Sequence, residues 1–188
     1  MSAKHLGPQS TTDSDIDIRE IKTFYDSVYH ANAQENSSGN EGHYQRLFRR
    51  LGVQMGSQVL DVACGTGGWL KVCNDNGTEV SGVDLSDNAI KVCRKVMPEG
   101  TFYSQPAETL PFDDGVFDLV TCLGSLEHFV DPESSLREMI RVAKSDATFV
   151  ILVPNRICTL STGTGLPKGA STLGHSALHK ASCSLSGH

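Results

Sequence analysis

Two acids and two glycines stand at spacings that suit the binding of a nucleoside. Over residues 59–70 (VLDVACGTGGWL) a short apolar run feeds a Gly65-x-Gly67 turn that opens a helix. Glycine lets the backbone bend sharply there and leaves no Cβ between main chain and ligand. The N–H groups at a helix start favour an anionic or polar ligand group. Asp61 precedes the glycines, where its carboxylate can meet an ammonium group. Asp84 follows Gly65 by nineteen residues, at the end of a second apolar run. In dinucleotide-type folds an acid at that place accepts hydrogen bonds from ribose hydroxyls.

What is missing narrows the ligand. The G-x-G-x-x-G fingerprint of NAD enzymes needs glycine at position 70, and Leu70 stands there. A pyrophosphate needs that close approach of helix and strand; an amino-acid carboxylate and ammonium do not. Glu127-His128 supplies the candidate general base. A histidine with a pKa of about 6.5 can take a proton from an acceptor hydroxyl. The same residue also reads as a helix-start histidine satisfied by local hydrogen bonds. No metal is expected. The six cysteines, at 64, 73, 93, 122, 158 and 183, form no C-x-x-C pair, and His175-x-x-x-His179 has metal spacing without a helix.

These residues need an alternating frame to bring them together. Residues 58–63, 79–84, 101–104, 116–122 and 147–153 read as strands, separated by helical patterns over 67–74, 86–96 and 131–144. Ser86 suits an N-cap, and Asp131-Pro132 supplies a cap and a first-turn proline. Alternation at this interval predicts an α/β, Rossmann-like parallel sheet of about five strands with helices on both faces. Residues 16–29 and 43–51 read as two further helices ahead of it. Residues 1–15 read as a disordered leader without the apolar region of a secretory signal.

Composition sets outer limits. At 188 residues the chain is long enough for one domain with a real core. Its longest apolar run, over residues 149–154, is far short of the ~20 residues of a membrane span. With 22 acidic and 16 basic residues the net charge is -6, which disfavours nucleic acid as a partner. Cysteines scattered within apolar patterns behave as small hydrophobes, and a reducing cytoplasm is the expected compartment.

The glycine turn resembles motif I (D/E-x-x-x-G-x-G) of the class I S-adenosylmethionine-dependent methyltransferases, and further segments extend the match. Gly82-Val83-Asp84-Leu85-Ser86 is similar to the family's ribose-binding segment. Gln105-Pro106-Ala107-Glu108, followed by Leu110-Pro111-Phe112, is similar to its adenine-side segment. Residues 114–120 resemble the fourth strand, and Leu136-x-Glu138-x-x-Arg141-Val142 the helix after it. The likeness covers about residues 20–155 and is strongest to small-molecule enzymes of ubiquinone and menaquinone biosynthesis.

The resemblance implies S-adenosylmethionine as cofactor and a small-molecule methyl acceptor. It places Asp61, Gly65 and Gly67 at the methionine moiety, with Leu123 nearby. Asp84 falls to the ribose, Leu85, Ala107 and Glu108 to the adenine side, and Tyr25 of Phe24-Tyr25-Asp26 to a cover over the cofactor. Pro106 departs from the pattern, standing where the family often has an aspartate for the adenine amino group. Some quinone-pathway relatives hold a metal with Glu-x-x-Glu-His; here Gly124 replaces the first glutamate. Trp69 reads as core. Two other readings stay open, a non-catalytic cofactor-binding protein and a nucleotide-dependent oxidoreductase.

The composition changes abruptly at Asn155. Residues 156–188 contain no acid, and 15 of the 33 are Ser, Thr or Gly. They read as a disordered low-complexity tail in place of the family's last helix and strands, as in a truncated or frame-shifted chain. Strand 147–153 is then expected to be a bare sheet edge, a template for self-association.

Overall fold

The computed structural model describes residues 18–29, 41–153 and 156–161. The expected leader and the tail beyond residue 161 lie outside the described residues. Helix α1 (Ile18–Phe24) continues into one π-helical turn (Tyr25–Tyr29), and α2 (Glu41–Leu51) follows. The alternating region then runs β1 (Gln58–Val62), α3 (Gly68–Asp75), β2 (Glu79–Asp84), α4 (Asp87–Val96), β3 (Thr101–Ser104) and β4 (Phe117–Leu123). A 3₁₀ turn (Leu126–His128), α5 (Pro132–Val142), β5 (Ala143–Val153) and β6 (Arg156–Ser161) complete it.

The sheet order is β3-β2-β1-β4-β5-β6, with β1 to β5 parallel. The five parallel strands and the helices on both faces agree with the sequence reading. Period-2 alternation in β1 divides the core: Val59 packs with α2, α3 and α4, whereas Leu60 and Val62 pack with α5 on the opposite face. Leu60, Leu70, Trp69 and Phe117 are among the largest side chains fully removed from water. Each contributes about 1.5–3 kcal/mol of transfer free energy. Strand order reverses between β1 and β4. At such a switch point the crossover helices diverge to opposite faces and open a crevice at the carboxyl ends of the strands.

Local chemistry fixes the helix starts as expected. Ser86 accepts from the Ala89 N–H at 3.2 Å, and Asp131 from the Ser134 N–H at 3.0 Å, with Pro132 in the first turn. Helix α5 stops at Val142, two residues short of expectation. Ala143 instead pairs with Phe117, ahead of a register shift that separates it from the pairing of Leu119 with Thr148.

The expected bare edge is a correction. Arg156–Ser161 lies antiparallel to β5, in register from Val153↔Arg156 to Thr148↔Ser161. The β-branched Ile157 and Thr159 favour an extended chain, and the backbone groups along β5 need partners. The strand therefore covers the edge on which the expectation of self-association rested.

Candidate functional site

A cavity of about 980 Å³ opens at the carboxyl ends of β1, β2 and β4. This is the upper end of the usual range for small-molecule sites. Asp61, Gly65, Asp84, Leu85, Ala107, Glu108, Leu123, Tyr25 and His128 all line it. Nine of the ten candidate residues thus meet in one space.

Gly67 is the exception, since it is not among the lining residues. Its φ of 79° is the left-handed conformation that suits glycine, and a Cβ there would meet Met97 Cε at 2.7 Å and Cys93 Sγ at 2.9 Å. The glycine lets α3 start hard against α4.

Asp61 is buried at the end of β1, beside Thr121 in the β1–β4 register. Thr121 Oγ1 donates to Asp61 Oδ1 at 2.6 Å and also reaches the Leu60 carbonyl at 3.2 Å. Burial pushes the Asp61 carboxyl up to about 7, against the opposing pull of the Thr121 hydrogen bond, and the nearby Asp84 charge adds to the rise. A buried carboxyl poised near neutrality calls for a cationic partner.

Asp84 ends β2 and organises the loops on both sides of it. Its Oδ2 accepts from the Gly65 N–H at 2.8 Å and its Oδ1 from the Ser86 N–H at 2.8 Å. The Gly65 N–H is therefore committed to Asp84, not offered to an anion as the helix-start argument expected. Each carboxylate oxygen carries two lone pairs and can accept more than one hydrogen bond, which is the chemistry a diol needs.

The turn between the acids is strained. Ala63, which lines the cavity, sits at φ 62°, a conformation that costs a residue with a Cβ roughly 1–2 kcal/mol. The sequence reading passed over this residue. Trp69 is buried as expected, yet it also lines the cavity, and its indole Nε1 is a buried donor without a hydrogen-bond partner.

Beside Asp84 runs the segment 105–112, tied to it by the Gln105 N–H donating to the Asp84 carbonyl at 3.1 Å, and residues 105–108 line the cavity. Arg141 holds this segment from behind: Nη2 donates to the Leu110 carbonyl at 3.0 Å, and Nη1 to the Phe112 carbonyl at 2.8 Å. Glu138 accepts from the Leu110 N–H at 2.8 Å. Ala107 is buried against this support, and Glu108 Oε1 accepts from the Asp131 N–H at 3.1 Å. The Glu-x-x-Arg spacing on α5 is thus a clamp on the cavity wall.

His128 closes the 3₁₀ turn after β4, with its side chain 60% exposed and Nε2 3.9 Å from Glu127 Oε1. That distance allows ionic attraction to a protonated imidazole without a hydrogen bond. Among the described residues no cluster of three or more His, Cys, Asp or Glu is placed to hold a metal ion. His175 and His179 lie outside the described residues.

Two buried carboxylates in one cavity suit an ammonium and a ribose diol and would repel a pyrophosphate. Leu85 and buried Ala107 offer an apolar wall for a planar base. S-Adenosylmethionine fits this donor set.

Residues 60–151 match a family described as "Methyltransferase domain". The chain is 33% identical over 136 residues to a demethylmenaquinone methyltransferase of Paenarthrobacter aurescens, covering 70% of this chain and 54% of that protein. It is 31% identical over 169 residues to the ubiquinone/menaquinone biosynthesis C-methyltransferase UbiE of Azotobacter vinelandii, covering 80% and 64%. Among solved structures, a SAM-dependent methyltransferase from Aquifex aeolicus superposes with a TM-score of 0.57 at 17% identity, over 65% of this chain and 71% of that one. That last likeness is one of fold.

Proposed function

Because the chain belongs, through its domain at residues 60–151, to the class I S-adenosylmethionine-dependent methyltransferases, we propose that it methylates a small-molecule acceptor held beside β4. The observation that carries this reading is one cavity lined by Asp61 and Asp84 on one side and His128 on the other. When bound, S-adenosylmethionine supplies a methyl group already activated by its sulfonium, so no covalent nucleophile is required of the protein. Asp61 holds the ammonium, Asp84 the ribose, and Leu85 and Ala107 the adenine. The glycine turn and Leu123 flank the methionine portion, and Tyr25 covers the cofactor from the adenosyl side.

His128 takes the proton from an acceptor hydroxyl at its imidazole, and its exposure passes that proton on to water. The surrounding apolar residues align the acceptor and exclude water, which is where such a site gains rate. The acidic lining disfavours a phosphate-rich acceptor such as nucleic acid.

The relatives' printed names support a quinone-type acceptor, while a hydroxyl acceptor rests on His128. Cys64, Cys73, Cys93 and Cys122 are free and buried, which suits a reducing cytoplasm. No helix among the described residues is long and apolar enough to cross a membrane.

Calorimetry with S-adenosylhomocysteine and with NAD, followed by methyl transfer to a panel of phenols and quinols, tests the reading. Binding of the first ligand alone, with turnover of a panel member, is expected. NAD binding revives the oxidoreductase reading. Cofactor binding without turnover of any phenol or quinol leaves a non-catalytic binder.

A further inference from the structure

A continuous run of hydrogen bonds links the glycine turn to the helical segment at the cavity's edge. The Gly65 N–H donates to Asp84 Oδ2, and the Ser86 N–H to Asp84 Oδ1, both at 2.8 Å. Ser86 Oγ then donates to Asp26 Oδ1 at 2.6 Å. Asp26 Oδ1 also accepts from the Asn88 N–H at 3.2 Å, and the Asp26 carbonyl from Asn88 Nδ2 at 3.1 Å. The Asp26 carboxylate thus stands at the N-terminus of α4, beside its N-cap, where the helix dipole favours negative charge.

Asp26 belongs to the π-helical turn Tyr25–Tyr29. π-Helical turns occur mostly as single-turn bulges in α-helices, and these are frequent at functional sites. Tyr25 of this turn, with Ile21 and Phe24 of the preceding α1, lines the cavity that Asp84 also lines. A second tie, from Lys22 Nζ to Asp87 Oδ1 at 2.9 Å and to Ser104 Oγ at 2.9 Å, holds the preceding turn. Its ion pair is partly exposed, with side-chain exposures of 32% and 52%, and pairs of that kind hold weakly. The Asp26 link is the stronger of the two. It is charge-assisted, it has three donors, and Ser86 is fully buried.

We propose that Asp26 is a positioning residue for cofactor retention, acting through Ser86. It fastens the Tyr25 turn over the adenosyl half of the cavity and ties that closure to the acid meant for the ribose. This rests on the cofactor placement proposed above. Asp26 does not touch the reacting atoms; it sets how long the adenosyl ligand stays. A ribose hydroxyl bound at Asp84 holds one end of the same network, so ligand and cover stabilise each other.

The chain's single tryptophan, Trp69, lines the cavity, so its fluorescence in stopped flow can follow S-adenosylhomocysteine on and off. Asp26→Ala is expected to raise the dissociation rate constant about tenfold and leave association within about threefold, since a charge-assisted hydrogen bond is lost only from the closed state. Asp26→Asn keeps an oxygen to accept from Ser86 Oγ and is expected to fall between wild type and Ala. An Asp26→Ala protein that releases ligand at the wild-type rate overturns the inference. So do Asn and Ala variants that slow association as much as they speed release, or that fail to fold, since Asp26 is then a structural residue. Wild-type protein that binds no S-adenosylhomocysteine in calorimetry overturns the cofactor placement, and this inference with it. Binding by wild type with unchanged release from Asp26→Ala overturns this inference alone.

Discussion

Thr121 Oγ1 donates a 2.6 Å hydrogen bond to Asp61 Oδ1 across the β1–β4 pair, where the strand order reverses and the crevice opens. The bond fixes the orientation of a buried carboxyl whose pKa is pushed up to about 7, chiefly by burial. Below that pH the acid is mostly neutral, and an arriving cation favours its ionisation.

The pH dependence of cofactor binding follows. A ligand ammonium favours ionised Asp61, so binding below pH about 7 releases a proton. The Kd for S-adenosylhomocysteine should be flat above that pH and rise roughly tenfold per unit below it. Calorimetry in buffers of different ionisation enthalpy counts the proton, and Asp61→Asn should abolish the slope. Thr121→Val removes the hydrogen bond that favours the ionised form, moving the break to higher pH. The unliganded protein should show the linked effect on stability. Since folding raises this pKa, the stability Asp61 contributes is fully present below the ordinary carboxyl value of 3.8 and is lost as pH rises through about 7. A Kd constant from about pH 5.5 to about 8 would remove Asp61 from the ammonium site.

Asp84 has two tasks, and its substitution should show both. Asp84→Ala deletes the ribose acceptor, worth roughly 1.5–3 kcal/mol of binding, and leaves the Gly65 and Ser86 N–H groups without their partner. Affinity measured by calorimetry should fall by at least that amount, and the melting temperature should fall with it. Undiminished affinity would take the ribose away from this residue.

The sequence carried the site where the chemistry is local. Gly65 and Asp84 lie at the ends of apolar runs that any parallel sheet brings side by side, so their meeting could be read from spacing. The packing need at Gly67 was not legible, because a glycine kept for packing and one kept for a ligand look alike in sequence; the closeness of Met97 and Cys93 depends on how α3 meets α4. The Asp26–Ser86 link joins residues 60 positions apart and has no local signature. Strand β6 was hidden in a stretch rich in Ser, Thr and Gly, and it becomes a strand only because β5 offers it an edge.

The strain at Ala63 gives a prediction of opposite sign to the others. Glycine adopts φ 62° without the clash of a Cβ, so Ala63→Gly should stabilise the protein by about 1 kcal/mol. That gain would appear as a rise of a few degrees in melting temperature at unchanged cofactor affinity. A lower melting temperature would mean that the Ala63 methyl group contributes packing worth more than the strain.

His128 divides binding from chemistry. It stands after β4, on the far side of the cavity from Asp84, and its side chain is mostly in contact with solvent. Cofactor affinity should therefore be nearly untouched by His128→Ala. Turnover of a hydroxyl acceptor should fall ~10²–10⁴-fold, the usual contribution of a general base. The loss should shrink as assay pH approaches the acceptor's own pKa, because an acceptor already ionised needs no base. Initial rates across a series of phenols of graded acidity, for wild type and variant, measure this directly. The acidic phenols should converge on similar rates, while the weakly acidic ones separate. An equal loss for every phenol, or a matching loss of cofactor affinity, would assign His128 to structure and point to an acceptor that needs no deprotonation.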